Sequence, residues 1–135
     1  MRARAVARLL LIVWLVLFAL LFVPWGDVQD HTHWYKVAWV PFGSRPVKPL
    51  DVIGNIVAFV PFGLLLTLAV GRGCRWEWPL GIGAALLLSF GAEAVQMYSH
   101  MRFPSATDLT ANVIGAGVGV WLARRRFSPH VRSHS

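Results

Sequence analysis

The chain has 135 residues, 56% of them hydrophobic and only 14% charged, against about 25% charged in a typical soluble protein. That composition excludes a disordered chain, a disulfide scaffold (Cys74 is the one cysteine) and an ordinary water-soluble domain, leaving a single membrane domain over residues 1–135. The net charge of +7 lies in basic clusters between uncharged runs, with no basic stripe and no base-reading motif, so membrane topology is expected and a nucleic-acid partner is not.

The first uncharged run covers residues 9–25, behind Arg2, Arg4 and Arg8. It is longer than the apolar part of a signal peptide, and residues 18–25 offer no small-x-small cleavage site, so an uncleaved anchor is expected. The loop that follows carries Asp30-His31-Thr32-His33. Two histidines at i and i+2 lack a third ligand at motif spacing, and neither a metal nor a cofactor is expected. The second span, 52–70, contains Asn55 and Pro61, and the proline predicts a kink because it cannot donate to the Val57 carbonyl. The third, 80–98, contains Glu93 and Gln96. The fourth, 106–123, contains Gly115-x-x-x-Gly119, a smooth surface for close helix packing. Residues 124–135 form a basic tail suited to anionic lipid. The fold class is therefore all-α, a polytopic bundle of about four transmembrane helices.

Orientation follows from the bases. The N-terminus, the 71–79 loop and the tail hold nine Lys and Arg, against four in the other two loops, which places both termini in the cytoplasm. Trp14, Trp25, Trp34, Trp39, Trp76, Trp78 and Trp121 mostly fall near span boundaries, as an aromatic belt does.

The scarce polar residues of the spans carry the functional reading. Asp51 and Asn55 open the second span, Glu93 and Gln96 lie near the outer end of the third, and Asp108 and Asn112 open the fourth. Each D-x-x-x-N puts carboxylate and amide on one face, one turn apart. At ~1.5 Å per residue, Asn55, Asn112 and Glu93 are expected roughly 6–8 Å inside their helix ends. A carboxylate facing lipid is expensive, so these groups should face one another or a wet cavity.

Each residue also has a structural reading. Asp51 and Asp108 complement helix N-termini, and Ser105-x-x-Asp108 fits a capping box. Asn55 and Asn112 serve equally as interhelical hydrogen-bonding groups, and Glu93 as the partner of Arg102 or Arg45. The recurrence of D-x-x-x-N, and of Val40-Pro41-Phe42-Gly43 as Val60-Pro61-Phe62-Gly63, reads either as a parallel repeat of helix pairs or as chance.

Asp51-x-x-x-Asn55 followed by Phe59-Val60-Pro61-Phe62-Gly63 resembles the first motif of VanZ-like membrane proteins. Glu93-x-x-Gln96, Arg102, Asp108-x-x-x-Asn112 and Gly115 resemble the second, and Val40-Pro41-Phe42 extends the likeness over residues 37–123. Residues 103–107 lack an acidic residue often found between the Arg and the Asp. The resemblance implies a small polytopic protein of the bacterial cytoplasmic (inner) membrane. The family's namesake is associated with low-level teicoplanin resistance, and the family name supplies no reaction. It points to Asp51, Asn55, Glu93, Gln96, Arg102, Asp108 and Asn112 as the functional cluster.

The expected function is to bind an amphipathic ligand from the outer leaflet, a lipid-linked wall precursor or a lipoglycopeptide. Arg102 would pair with phosphate, and Asn55, Gln96 and Asn112 would bond sugar or peptide groups. The alternatives are an intramembrane hydrolase or transferase using Glu93 and Asp108 as an acid–base pair, and a proton-coupled carrier titrating Glu93. No dedicated nucleophile is present, which leans the reading away from an enzyme. Membrane lipids are expected partners, and homo-oligomerisation stays open.

Overall fold

Arginine and alanine are good helix formers, so the first helix begins inside the basic cluster rather than at the apolar run. In the computed structural model α1 covers Arg2–Phe22, α2 Pro49–Val70, α3 Glu77–Gln96 and α4 Ala106–Phe127, with a short 3₁₀ turn at Trp34–Lys36 between α1 and α2. The structure describes residues 2–27, 29–43, 48–71, 74–100 and 104–127, with Arg126 and Phe127 described by main chain alone. Among the described residues there are four α-helices and no strand. By length and composition α1, α2 and α3 can each cross a membrane. α4 is equally long at 22 residues, about 33 Å against a ~30 Å hydrocarbon core, but it carries Asp108, Asn112 and an arginine-rich end.

α2 and α4 form the central pair, and glycine is the reason. A Cβ on Gly115 would overlap the carbonyl oxygen of Ile56, one on Gly119 that of Val60, and one on Gly63 that of Ala116. The two backbones touch directly, as small-xxx-small surfaces allow. Contact positions rise together along both chains, so α2 and α4 run parallel. The contacts bracket the spacing between Asp51 and Asp108 and between Asn55 and Asn112, which places the two D-x-x-x-N pairs at one height.

α1 lies antiparallel against α2. Trp14 and Phe18 of α1 meet Phe59 and Phe62 of α2, with Trp14–Phe62 centroids 4.9 Å apart and Phe18–Phe59 edge-on at 5.4 Å. Ala85, Ala92 and Ala116 complete this core. Trp14 departs from the belt expected of the tryptophans. It sits mid-helix, and its indole N–H donates to the Ala58 carbonyl at 3.0 Å, which satisfies the one polar atom that would otherwise keep it at an interface. Outward-facing Leu9, Ile12, Val16, Leu20, Leu87 and Phe90 are exposed, the surface a helix offers to lipid.

The end of the bundle bearing the N-terminus is held by arginine. Arg8 Nε donates to the Ala69 carbonyl at 3.4 Å, a cation on the negative end of α2. That helix stops at Gly71, whose φ of +110° a side chain would resist. Arg124 Nε lies 3.3 Å from the buried Glu77 carboxylate, joining the start of α3 to the end of α4. Arg125 stacks over Trp121, 4.3 Å from its ring centre. α2 runs unbroken through Pro61. Arg72, Arg45 and the tail from 128 to 135 lie outside the described residues.

Candidate functional site

The opposite end is built by two loops that bond to each other through their main chains. Gln29 N–H donates to the Tyr98 carbonyl and His33 N–H to that of Met97, both at 2.8 Å. Ala38 pairs with the start of α4, its N–H donating to Pro104 and its carbonyl accepting from Ala106, both at 3.0 Å. The Val40-Pro41-Phe42-Gly43 turn docks on the same helix end. Phe42 takes a left-handed φ of +59°, unusual for a bulky residue, and its N–H donates to Thr107 Oγ1 at 3.0 Å. These bonds cap the height at which α2 and α4 begin.

Glu93 and Gln96, one turn apart on α3, reach in different directions. Glu93 Oε2 accepts the Ser105 backbone N–H at 2.6 Å, and Ser105 immediately precedes α4. Ser105 Oγ accepts from Thr107 N–H at 3.2 Å. The bond that a capping box assigns to Asp108 is therefore made from a neighbouring helix, by Glu93. Beside the Arg102 or Arg45 pairing that the sequence offers Glu93, the start of α4 is a further partner, reached from a neighbouring helix. Buried Gln96 sends Nε2 toward the Phe22 carbonyl at 3.4 Å, at the end of α1. A carboxylate thus meets a positive helix end and an amide donor a negative one.

The remaining residues line the α2–α4 start. Asp51 is exposed in the first turn of α2, where no side chain among the described residues caps the helix. Asn55 and Asp108 are half-buried. Asn112 is 5% exposed, and its Oδ1 has no hydrogen-bond partner among the described residues. Arg102, the proposed phosphate partner, lies outside the described residues.

The layer is stepped rather than flat. α3 ends at Gln96, so Glu93 stands about 4–5 Å from its helix end, level with Ser105, whereas Asn55 and Asn112 lie about 9 Å inside theirs. Ser89, fully buried and also without a partner for Oγ among the described residues, joins the deeper step. The antiparallel register set by Glu93–Ser105 and Glu77–Arg124 brings it within about one turn of Asn112. Ser89 is four residues before Glu93, a same-face spacing that marks it in the sequence.

The loops add a group the sequence does not show. His100 joins His31 and His33, 4.6 Å from the latter between ring centres. His33 is buried, and that burial, with Lys36, His100 and His31 nearby, holds its imidazole below the ordinary value despite the Met97 carbonyl.

The fold and the site define a helical membrane protein whose polar side chains gather where two parallel helices begin. Its kinship agrees with that arrangement. The chain belongs to the VanZ/LLP1 family, whose model matches residues 5–127, most of α1 and all of the other helices. No curated protein and no solved structure matches it.

Proposed function

We propose that this chain is a binding protein of the bacterial cytoplasmic membrane, without catalysis, with both termini cytoplasmic and the capped end outward. Its ligand is an amphipathic molecule of the outer leaflet, a lipid-linked wall precursor or a teicoplanin-type lipoglycopeptide, and tolerance of such drugs is the corresponding phenotype.

The observation that carries this reading is Asn112. Its Oδ1 is buried with no donor in reach among the described residues, and an unmet buried acceptor costs about 1–3 kcal/mol. A hydroxyl or amide N–H from a sugar or peptide headgroup supplies the missing donor. Asn55 stands at the same height across the seam, and Ser89 within about a turn, so a headgroup meets several short polar groups while its chain lies along exposed apolar helix faces. Asp51 and Asp108 flank the entrance, and Glu93 and Gln96 hold it in shape.

Native mass spectrometry in defined nanodiscs tests the reading, with teicoplanin and a polyprenyl-diphosphate sugar as probes. One probe should be retained by the wild type and lost at least tenfold in Asn112→Leu, which keeps the volume and removes the acceptor. Equal retention by both proteins refutes it. A covalently altered lipid formed by wild type would replace binding with catalysis. Protease protection of terminal tags in right-side-out vesicles checks the orientation.

A further inference from the structure

Three of the five histidines in the sequence meet at the capped end, outside the polar layer. His31 and His33 come from the α1–α2 loop and His100 from the connection after α3. One ring nitrogen from each lies within 4.8 Å of the other two. The ring centres of His31 and His33 are 4.9 Å apart, and those of His31 and His100 5.5 Å. The two segments are held in register by the Gln29–Tyr98 and His33–Met97 main-chain bonds and by the buried Ser99 hydroxyl, which donates to Asp27 Oδ2.

The groups behind the rings sharpen the picture. His31 Nδ1 is 2.9 Å from Asp30 Oδ1, and His33 Nδ1 is 3.3 Å from the Met97 carbonyl oxygen. A main-chain carbonyl oxygen accepts, and so does a carboxylate oxygen such as Asp30 Oδ1. In the neutral tautomer that donates from Nδ1 to these oxygens, Nε2 is the nitrogen whose lone pair is left for an ion. A carboxylate or main-chain carbonyl behind an imidazole is the outer support that metal-ligating histidines have.

We propose that His31, His33 and His100 form a three-imidazole site for a divalent transition-metal ion, zinc foremost, with a fourth position open to solvent. Three imidazoles without an oxygen-rich shell suit zinc, nickel or copper and not calcium or magnesium. Zn–N bonds of ~2.0–2.1 Å in a tetrahedron set ligand nitrogens about 3.3 Å apart. The rings must close by about 1.5 Å at most. His31 and His100 are exposed, and His33 is buried. The ion would tie the α1–α2 loop to the α3–α4 connection, crosslinking segments that are far apart in the chain.

The test uses full-length protein purified without a polyhistidine tag, stripped with chelator in detergent, and titrated with Zn2+ by calorimetry and with Co2+ by absorption. Wild type should bind one ion per chain, give the intense visible bands of tetrahedral Co2+, and melt at a higher temperature with Zn2+. His31→Ala and His100→Ala should each weaken Zn2+ by about 100-fold or more, and Asp30→Asn by about tenfold, as loss of an outer partner does. Unchanged melting in chelator shows that these exposed replacements leave the fold intact. His130→Ala with His134→Ala, and Asn112→Leu, should bind Zn2+ like wild type. Wild type taking up less than one ion at micromolar Zn2+, or a His31→Ala, His100→Ala double variant binding as wild type does, overturns the proposal.

Discussion

Gly119→Ala adds one methyl group where two backbones already touch. Its Cβ would overlap the Val60 carbonyl oxygen and lie 2.7 Å from Leu64 N and 3.0 Å from Gly63 Cα, all main-chain atoms that cannot rotate aside. Restoring an ordinary 3.4 Å approach to Leu64 N requires α4 to retreat from α2 by about 0.7 Å at the least, and the nearer Val60 oxygen demands more. A gap of ~0.5–1 Å forfeits a quarter to a half of each dispersion well of ~0.1–0.2 kcal/mol. Spread over some tens of atom pairs along the seam, the loss is about 1–3 kcal/mol, the usual penalty of overpacking. Gly54→Ala is the control on the partner helix, because its Cβ would meet nothing within 4 Å; better helix propensity should leave it neutral or about 0.5–1 kcal/mol more stable. Denaturing detergent titration in mixed micelles, followed by circular dichroism, reads both. If Gly119→Ala proves as stable as Gly54→Ala, the direct backbone contact between α2 and α4 is wrong.

Other replacements test the contacts around that seam. Glu93→Gln keeps an acceptor for Ser105 N–H but removes the charge, and should weaken the bundle by about 1 kcal/mol, against about 2–3 kcal/mol for Glu93→Ala. In both, amide exchange at Ser105 and Thr107 should accelerate, and unchanged protection contradicts the cross-helix cap. Trp14→Phe removes the bond to Ala58 and should cost about 0.5–1.5 kcal/mol in detergent titration, with α1 loosening first. Arg124→Ala withdraws a cation from the buried Glu77 and should cost about 1–3 kcal/mol. That is less than breaking a fully enclosed pair because Arg124 itself is half exposed. Unaltered melting in detergent would show that this ion pair is idle.

The helices were legible because lipid imposes long apolar runs, and basic residues mark where those runs end. Gly115-x-x-x-Gly119 announced a close contact, but not that its partner is the carbonyl side of α2, since periodicity shows which face packs and not against what. Asp51, Asn55, Asp108 and Asn112 were legible as a repeated pattern, and the parallel seam puts the two copies at one height. Glu93 was legible as an ionisable group in an apolar helix. Its bond to Ser105 was not, because a cap supplied by another helix follows no local spacing. His100 stands 67 residues from His33 in the sequence, so only the pairing of two loops could bring them together. The place of Trp14 was not legible for a similar reason: a tryptophan at an interface and one bonded to a carbonyl against the core look alike in sequence.

Glu93 and Gln96 also show where information resides along α3. Exchanging the two residues would preserve composition, net charge and almost all of the side-chain volume. It would nevertheless set an amide against the positive start of α4 and a carboxylate against the Phe22 carbonyl at the negative end of α1. No scale of hydrophobicity or charge distinguishes the two versions. What separates them is the direction in which each neighbouring helix runs, so the order of these two letters records the up-and-down path of the whole chain.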